Sequence, residues 1–199
     1  DVNAVTGKNS DHNINYEYLQ VIQAKALAHL IYDDDFYGYQ AVYYMKNFLK
    51  SLDIRQMYND QTRDYGYIMF SAAIVYDWCY DLLTAEDKVQ FIAGVENCLC
   101  RGSNQAGSKT EYGFPPSGGS SVSGHGSEYI VLRDYLSFAI AIYGDNNSWW
   151  NYIGGRVYNE LVPAHNYYLQ SGMAPQGTGT YITARFVGDI FAAWMLRVS

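Results

Sequence analysis

Apolar spacing constrains this chain more than any other feature. Leu19, Ile22, Ala26 and Leu30 recur at three and four residues, and the same period returns at Val42, Met45 and Leu49, at Ile68, Ala72, Val75, Cys79 and Leu82, and at Ile182, Phe186, Ile190 and Trp194. No stretch alternates apolar and polar residues long enough to argue a sheet. The expectation is an all-α protein.

Punctuation between the stripes sets the organisation. Residues 1–14 read as a polar tail or linker, and the first helix begins at Tyr16 and ends at D-D-D-F-Y-G, residues 33 to 38. A second is expected from about Tyr39 to Leu52 and a third from about Arg63 to Leu83. T-A-E-D at 84 to 87 is a capping box: the Thr84 hydroxyl can meet the Asp87 amide while the carboxylate returns the bond, which marks a tight turn into a fourth helix ending near Cys100. A fifth is expected over Glu128 to Tyr143, stopped by G-D-N-N-S. A sixth would be capped by Ser148 and ended or bent at Pro163, and a last one would start near Thr180. Two glycine-rich connections stand out, 101–127 and S-G-M-A-P-Q-G-T-G at 171–179; one as long as the first is either a surface insertion or, as is common at such length, functional. Short and long loops alternate, so a layered array of antiparallel helical hairpins is expected, of which an α/α toroid is one solution. The apolar period is still running at Ser199, which reads as a single-domain fragment.

Composition narrows the function. Among 199 residues are 21 tyrosines, 8 phenylalanines and 4 tryptophans, side chains that line a core and equally a wet groove for sugar rings. A net charge of −7, with 13 lysines and arginines dispersed, argues against nucleic-acid binding. It does not exclude an anionic ligand in a locally positive cleft. Cys79, Cys98 and Cys100 form no C-x-x-C and lie in apolar helical surroundings, as free core cysteines do. No run is apolar for long enough to span a membrane, and the chain opens D-V-N-A-V-T-G, as a mature secreted product does after its leader is removed.

Two polar constellations follow the long loops. In S-G-H-G-S-E-Y, residues 123 to 129, His125 and Glu128 stand at the mouth of the fifth helix, where amides and the helix dipole favour negative charge and glycines admit a ligand close to the backbone. In T-G-T-Y-I-T-A-R, residues 178 to 185, Tyr181 and Arg185 share a helical face, and an arginine beside a phenol favours the ionised form needed for proton transfer. His-x-x-Glu provides only two metal ligands, and His12, His29 and His165 could join it only through folding, so no metal is expected in this segment. Trp149-Trp150 offers either a sugar platform or core packing.

In order along the chain, V-Y-D-W-C-Y-D-L-L-T-A-E-D-K, G-H-G-S-E-Y and G-T-G-T-Y-I-T-A-R resemble the amino-terminal helical domain of the heparinase II/III family of polysaccharide lyases, most closely its heparinase II branch. The resemblance runs from about residue 16 to the end. It implies an incomplete α/α toroid followed by β-sandwich domains outside this segment, a periplasmic or secreted location, and β-elimination on uronic-acid-containing glycosaminoglycans. It also implies a structural zinc in a downstream domain, further catalytic residues from there, and a homodimer of the full-length protein. Carried over by position, His125, Glu128 and Tyr181 are the expected catalytic residues and Arg185 a substrate contact; Tyr129, beside Glu128, and Trp149, on the sugar-platform reading, are the other expected substrate contacts.

β-Elimination requires the C5 proton to leave while the neighbouring carboxylate is neutralised, and then a proton for the departing O4. On the resemblance Tyr181 transfers the proton, His125 assists, Glu128 binds the substrate carboxylate through a shared proton, and Arg185 activates Tyr181 or holds that carboxylate. A noncatalytic helical carbohydrate-binding or scaffold domain is the alternative. A two-carboxylate hydrolase is less favoured, because Glu128 has no convincing second acid. Net charge opposes a highly sulfated glycan, so positive groups from the absent domains or a lightly sulfated substrate are expected.

Overall fold

A computed structural model describes residues 14–52, 62–103, 130–172 and 182–198. Within them every regular element is helical. The first helix, α1, is Tyr16–Tyr32, with the Asn15 side-chain Oδ1 accepting from the Tyr18 amide at its start. Asp33 adopts the left-handed conformation, φ 52°, and ends it. Asp34 then caps α2, Asp35–Ser51, through the Phe36 amide. The acidic triplet therefore both stops one helix and starts the next, four residues earlier than the expected Tyr39, because aspartate serves as an N-cap and tolerates the left-handed region.

Helix α3 is Thr62–Trp78, and a 3-10 turn at Tyr80–Leu82 separates it from α4, Ala85–Ser103. The capping box forms as expected. The Asp87 amide donates to Thr84 Oγ1 at 3.1 Å and the Thr84 amide to Asp87 Oδ2 at 3.0 Å. Helix α5 joins a π-helical stretch, Ile130–Tyr135, to an α-helical one, Leu136–Ala141. Helix α6 runs through Asn147–Arg156, a π-helical Val157–Leu161 and Val162–Tyr168. Its cap is Asn146 rather than Ser148: the Asn146 side chain accepts from both the Ser148 amide and hydroxyl. Pro163 does not end the helix, since it sits in the first turn after the π-helical stretch, whose wider turn takes up the missing amide and the ring. The last helix, α7, is Ile182–Val198.

Pair contacts give the helix directions. Between α1 and α2, Lys25 bonds Gln40 while Tyr18 stacks on Phe48 near the other end, an antiparallel hairpin. Between α1 and α3, Tyr16 meets Tyr67 and Gln23 donates to Ser71, so the contacts advance together and the helices are parallel. Parallel also are α3 and α5, where Phe70 lies under Arg133 and the Tyr76 hydroxyl donates to Asp145 just past α5. For α5 and α7, Phe191 meets the same Phe70 ring that Arg133 covers, and four residues further on each helix the Ser137 hydroxyl meets Met195 Sδ at 3.2 Å. Lys46 with Asp87, and Leu49 beside Gly94, give α2 and α4 the same relation.

The result is two layers, α1, α3, α5 and α7 side by side in one and α2 and α4 in the other, with Trp149 of α6 reaching Glu96 of α4. Leu19, Ile22, Met45, Phe48, Ile68, Val75, Tyr76, Phe91, Phe138 and Trp149 fill the space between. Alternating antiparallel hairpins with parallel neighbours in each layer are what the short-loop, long-loop rhythm requires. Cys79 is a buried free thiol in this core, as expected, and burial pushes it up to about 12.

Candidate functional site

Parallel packing sorts the connections by end. The short turns after α1, α3 and α5 fall on one rim of the layers. The helix ends that border residues 53–61, 104–129 and 173–181 fall on the other. His125, Glu128, Tyr129 and Tyr181 lie outside the described residues. Arg185 is in the first turn of α7 by its backbone. The register between α5 and α7, carried back from Arg133 and Phe191, sets Ile130 at the start of α5 level with Gly188 in the second turn of α7. The sequence positions next to both polar motifs therefore belong to neighbouring, parallel helix starts.

Two described features sharpen this end of the molecule. His165, near the end of α6, places Nδ1 2.5 Å from Asp189 Oδ1, in the second turn of α7. The pair ties the helix before the 173–181 connection to the helix after it. Asp189 stands one turn beyond Arg185, so Tyr181, Arg185 and Asp189 repeat every four residues, a signal readable in sequence that the two-residue motif conceals. Arg133, five residues beyond Glu128, binds Asp134 through Nε and lies 5.0 Å from the Phe70 ring centroid. Asp134 is completely buried, with Oδ2 unpartnered; burial raises its carboxyl to about 6 against the opposing effect of Arg133. π-Helical turns such as the one carrying this pair are frequent at functional sites.

Trp149 does not meet the expectation of a sugar contact. It is fully buried, packed edge-on against Phe138 at 5.1 Å and Tyr135 at 6.3 Å, with its indole N–H donated to Glu96 at 3.0 Å. Although Asn147 and Ser148 before it are exposed, packing against Phe138 and Tyr135 of α5 leaves the tryptophan no exposed surface.

The opposite rim is acidic. Asp33, Asp34, Asp35, Asp81, Glu86, Asp87 and Asp145 all lie in or beside the short turns. Lys46 and Lys88 compensate only part of this charge, through Asp87 and Asp145. A cleft of about 370 Å³ opens there between His29, Asp33, Asp35, Asp77, Trp78 and Asp81. His29 and His165 thus belong to opposite rims and do not converge. Among the described residues no group of three His, Cys, Asp or Glu side chains could hold a metal ion, and no helix is long and apolar enough to cross a membrane. No protein-family model matches the chain, and no curated protein matches it significantly.

Proposed function

We propose that this chain is the helical part of a polysaccharide lyase of the heparinase II/III type, cleaving uronic-acid-containing glycosaminoglycans by β-elimination. In this reading Tyr181 moves the proton between C5 and O4, His125 assists, and Glu128 meets the substrate carboxylate with Arg185. Tyr129 would contact the neighbouring sugar. The observation that carries the reading is the parallel, adjacent course of α5 and α7, since His125 and Glu128 immediately precede one helix and Tyr181 the other. Chemistry on one sugar requires groups within hydrogen-bond reach of the same proton, and neighbouring parallel helix starts favour that convergence. Completion of the layers to a toroid, the downstream domains with their zinc, secretion to the periplasm and a homodimer of the full-length protein belong to the same reading.

Charge supports it as well. The −7 of the whole chain is the obstacle to a polyanionic substrate, and much of the described negative charge sits on the short-turn rim, away from the starts of α5 and α7. The test is release of unsaturated uronide, followed by its ultraviolet absorbance, from hyaluronan, heparan sulfate, heparin and alginate by the full-length protein. Tyr181→Phe should lower the rate at least about a hundredfold, the usual range for loss of a proton-transfer group. A variant that keeps most of the wild-type rate would remove Tyr181 from the mechanism.

A noncatalytic carbohydrate-binding domain is the second reading, favoured by Tyr32, Phe36, Tyr39 and Tyr43, each more than half exposed around the α1–α2 corner. Binding of uronide oligosaccharides without any product, with the downstream domains present, would establish it.

A further inference from the structure

Parallel packing of α1, α3, α5 and α7 does more than join the two polar motifs. It aligns four helix starts along one rim. At the α1–α3 end of that row stands an aromatic pair: Tyr16, the first residue of α1, and Tyr67, in the second turn of α3, with ring centroids 5.2 Å apart and planes tilted by 48°. Tyr67 is partly buried against the core and Tyr16 remains 37% exposed, so the core braces the Tyr67 ring and part of Tyr16 reaches solvent. One turn beyond Tyr67 and two beyond Tyr16, Gln23 donates to Ser71 at 2.7 Å and Ser71 to the Tyr67 carbonyl, which ties α1 to α3 beneath the pair.

We infer that Tyr16 and Tyr67 form a distal sugar-binding subsite, and that the polysaccharide lies across the row of helix starts from α7 and α5 towards α3 and α1. This rests on the lyase reading for where the chain is cut, and on the aromatic pair alone for where it is gripped. Packed helices stand about 8–10 Å apart, so the pair is a few sugar units from the α5–α7 boundary. Short oligosaccharides would fill the cleavage site without reaching it. A tyrosine ring offers an apolar face to the axial C–H groups of a pyranose and a hydroxyl to its polar edge, and it needs no positive charge, which suits a lightly sulfated uronide.

The experiment measures binding of hyaluronan and heparan sulfate oligosaccharides of graded length by calorimetry, for wild type, Tyr16→Ala, Tyr67→Ala and Tyr67→Phe, with unsaturated product assayed in parallel. Wild-type affinity should rise with length until the chain spans the row. Tyr16→Ala and Tyr67→Ala should lose about tenfold for long chains, equivalent to about 1.4 kcal/mol, and nothing for disaccharides. Tyr67→Phe, which keeps the ring, should retain most of the long-chain affinity. Because Tyr16 is at a helix start and partly exposed, its variant keeps the inference testable if Tyr67→Ala unfolds. Unchanged affinity in Tyr16→Ala, an equal loss at every length, or no binding by the wild type would overturn the subsite. Length-dependent loss without product from any variant would sustain it and remove the lyase reading; product formation with length-independent tyrosine variants would do the reverse.

Discussion

Asp134 shows how one buried carboxyl couples the fold to pH. Its Oδ1 accepts from Arg133 Nε while Oδ2 has no partner, and burial raises the group to about 6. Between the ordinary carboxylate value of about 4 and this raised one, the folded chain holds a proton that the unfolded chain has released. Stability contributed by this group therefore falls as pH rises through that window, and the loss is complete above it. Asp87 and Asp145 act in the opposite sense. Burial alone would raise both, but hydrogen bonds from Lys46 and Thr84 to Asp87, and from Tyr76, Tyr80 and Lys88 to Asp145, hold them low, so their stabilisation fades only in more acidic solution. Denaturant melts of Asp134→Asn at about pH 4 and about pH 7 should show a smaller decline than the wild type. Parallel profiles for the two proteins would mean that Asp134 does not titrate in the fold as described.

At the scale of elements, hairpin turns are fixed by side-chain caps, and the best determined is the one between α3 and α4. Thr84 and Asp87 exchange hydrogen bonds at the start of α4, and Lys46 of α2 closes on the same carboxylate. The cap thus ties a helix start to the neighbouring outer helix. Thr84→Ala should destabilise the protein by about 1 kcal/mol, read as a lower urea midpoint with unchanged slope, and should let the Asp87 carboxyl rise towards its ordinary range. The glycine at position 38 shows the opposite kind of constraint: a Cβ there would meet Leu82 Cδ1 at 2.3 Å and His29 Cγ at 3.0 Å, so the α1–α2 corner is packed against the 3-10 turn through the absence of a side chain.

For the whole molecule, charge is divided by rim. Helix α3, at 1.5 Å per residue, separates the rims by about 25 Å, several times the roughly 8 Å over which exposed charges act at physiological salt. Asp33→Asn combined with Asp81→Asn should therefore leave affinity for an anionic oligosaccharide within about twofold of the wild type, whereas Arg185→Ala should weaken it about tenfold or more. Isothermal titration at two salt concentrations separates the cases. Equal effects from both variants would place the glycan away from the starts of α5 and α7.

Helix content was legible in the sequence because each helix buries one stripe, and the period of that stripe, at Leu19, Ile22 and Ala26 or at Ile68, Ala72 and Val75, is a property of the chain alone. The capping box at 84 to 87 was legible for the same reason: its partners are three residues apart. Contacts between distant residues were not. Nothing local distinguishes Trp149 buried against Phe138 from a tryptophan on a sugar platform, and nothing joins His165 to Asp189 across 24 residues until α6 and α7 pack. Nor does net charge reveal that the acidic turns share a rim, since that depends on helix direction. The sequence determined which residues form helices and where caps stand; only tertiary packing, by making α1, α3, α5 and α7 parallel, decided which helix ends are neighbours.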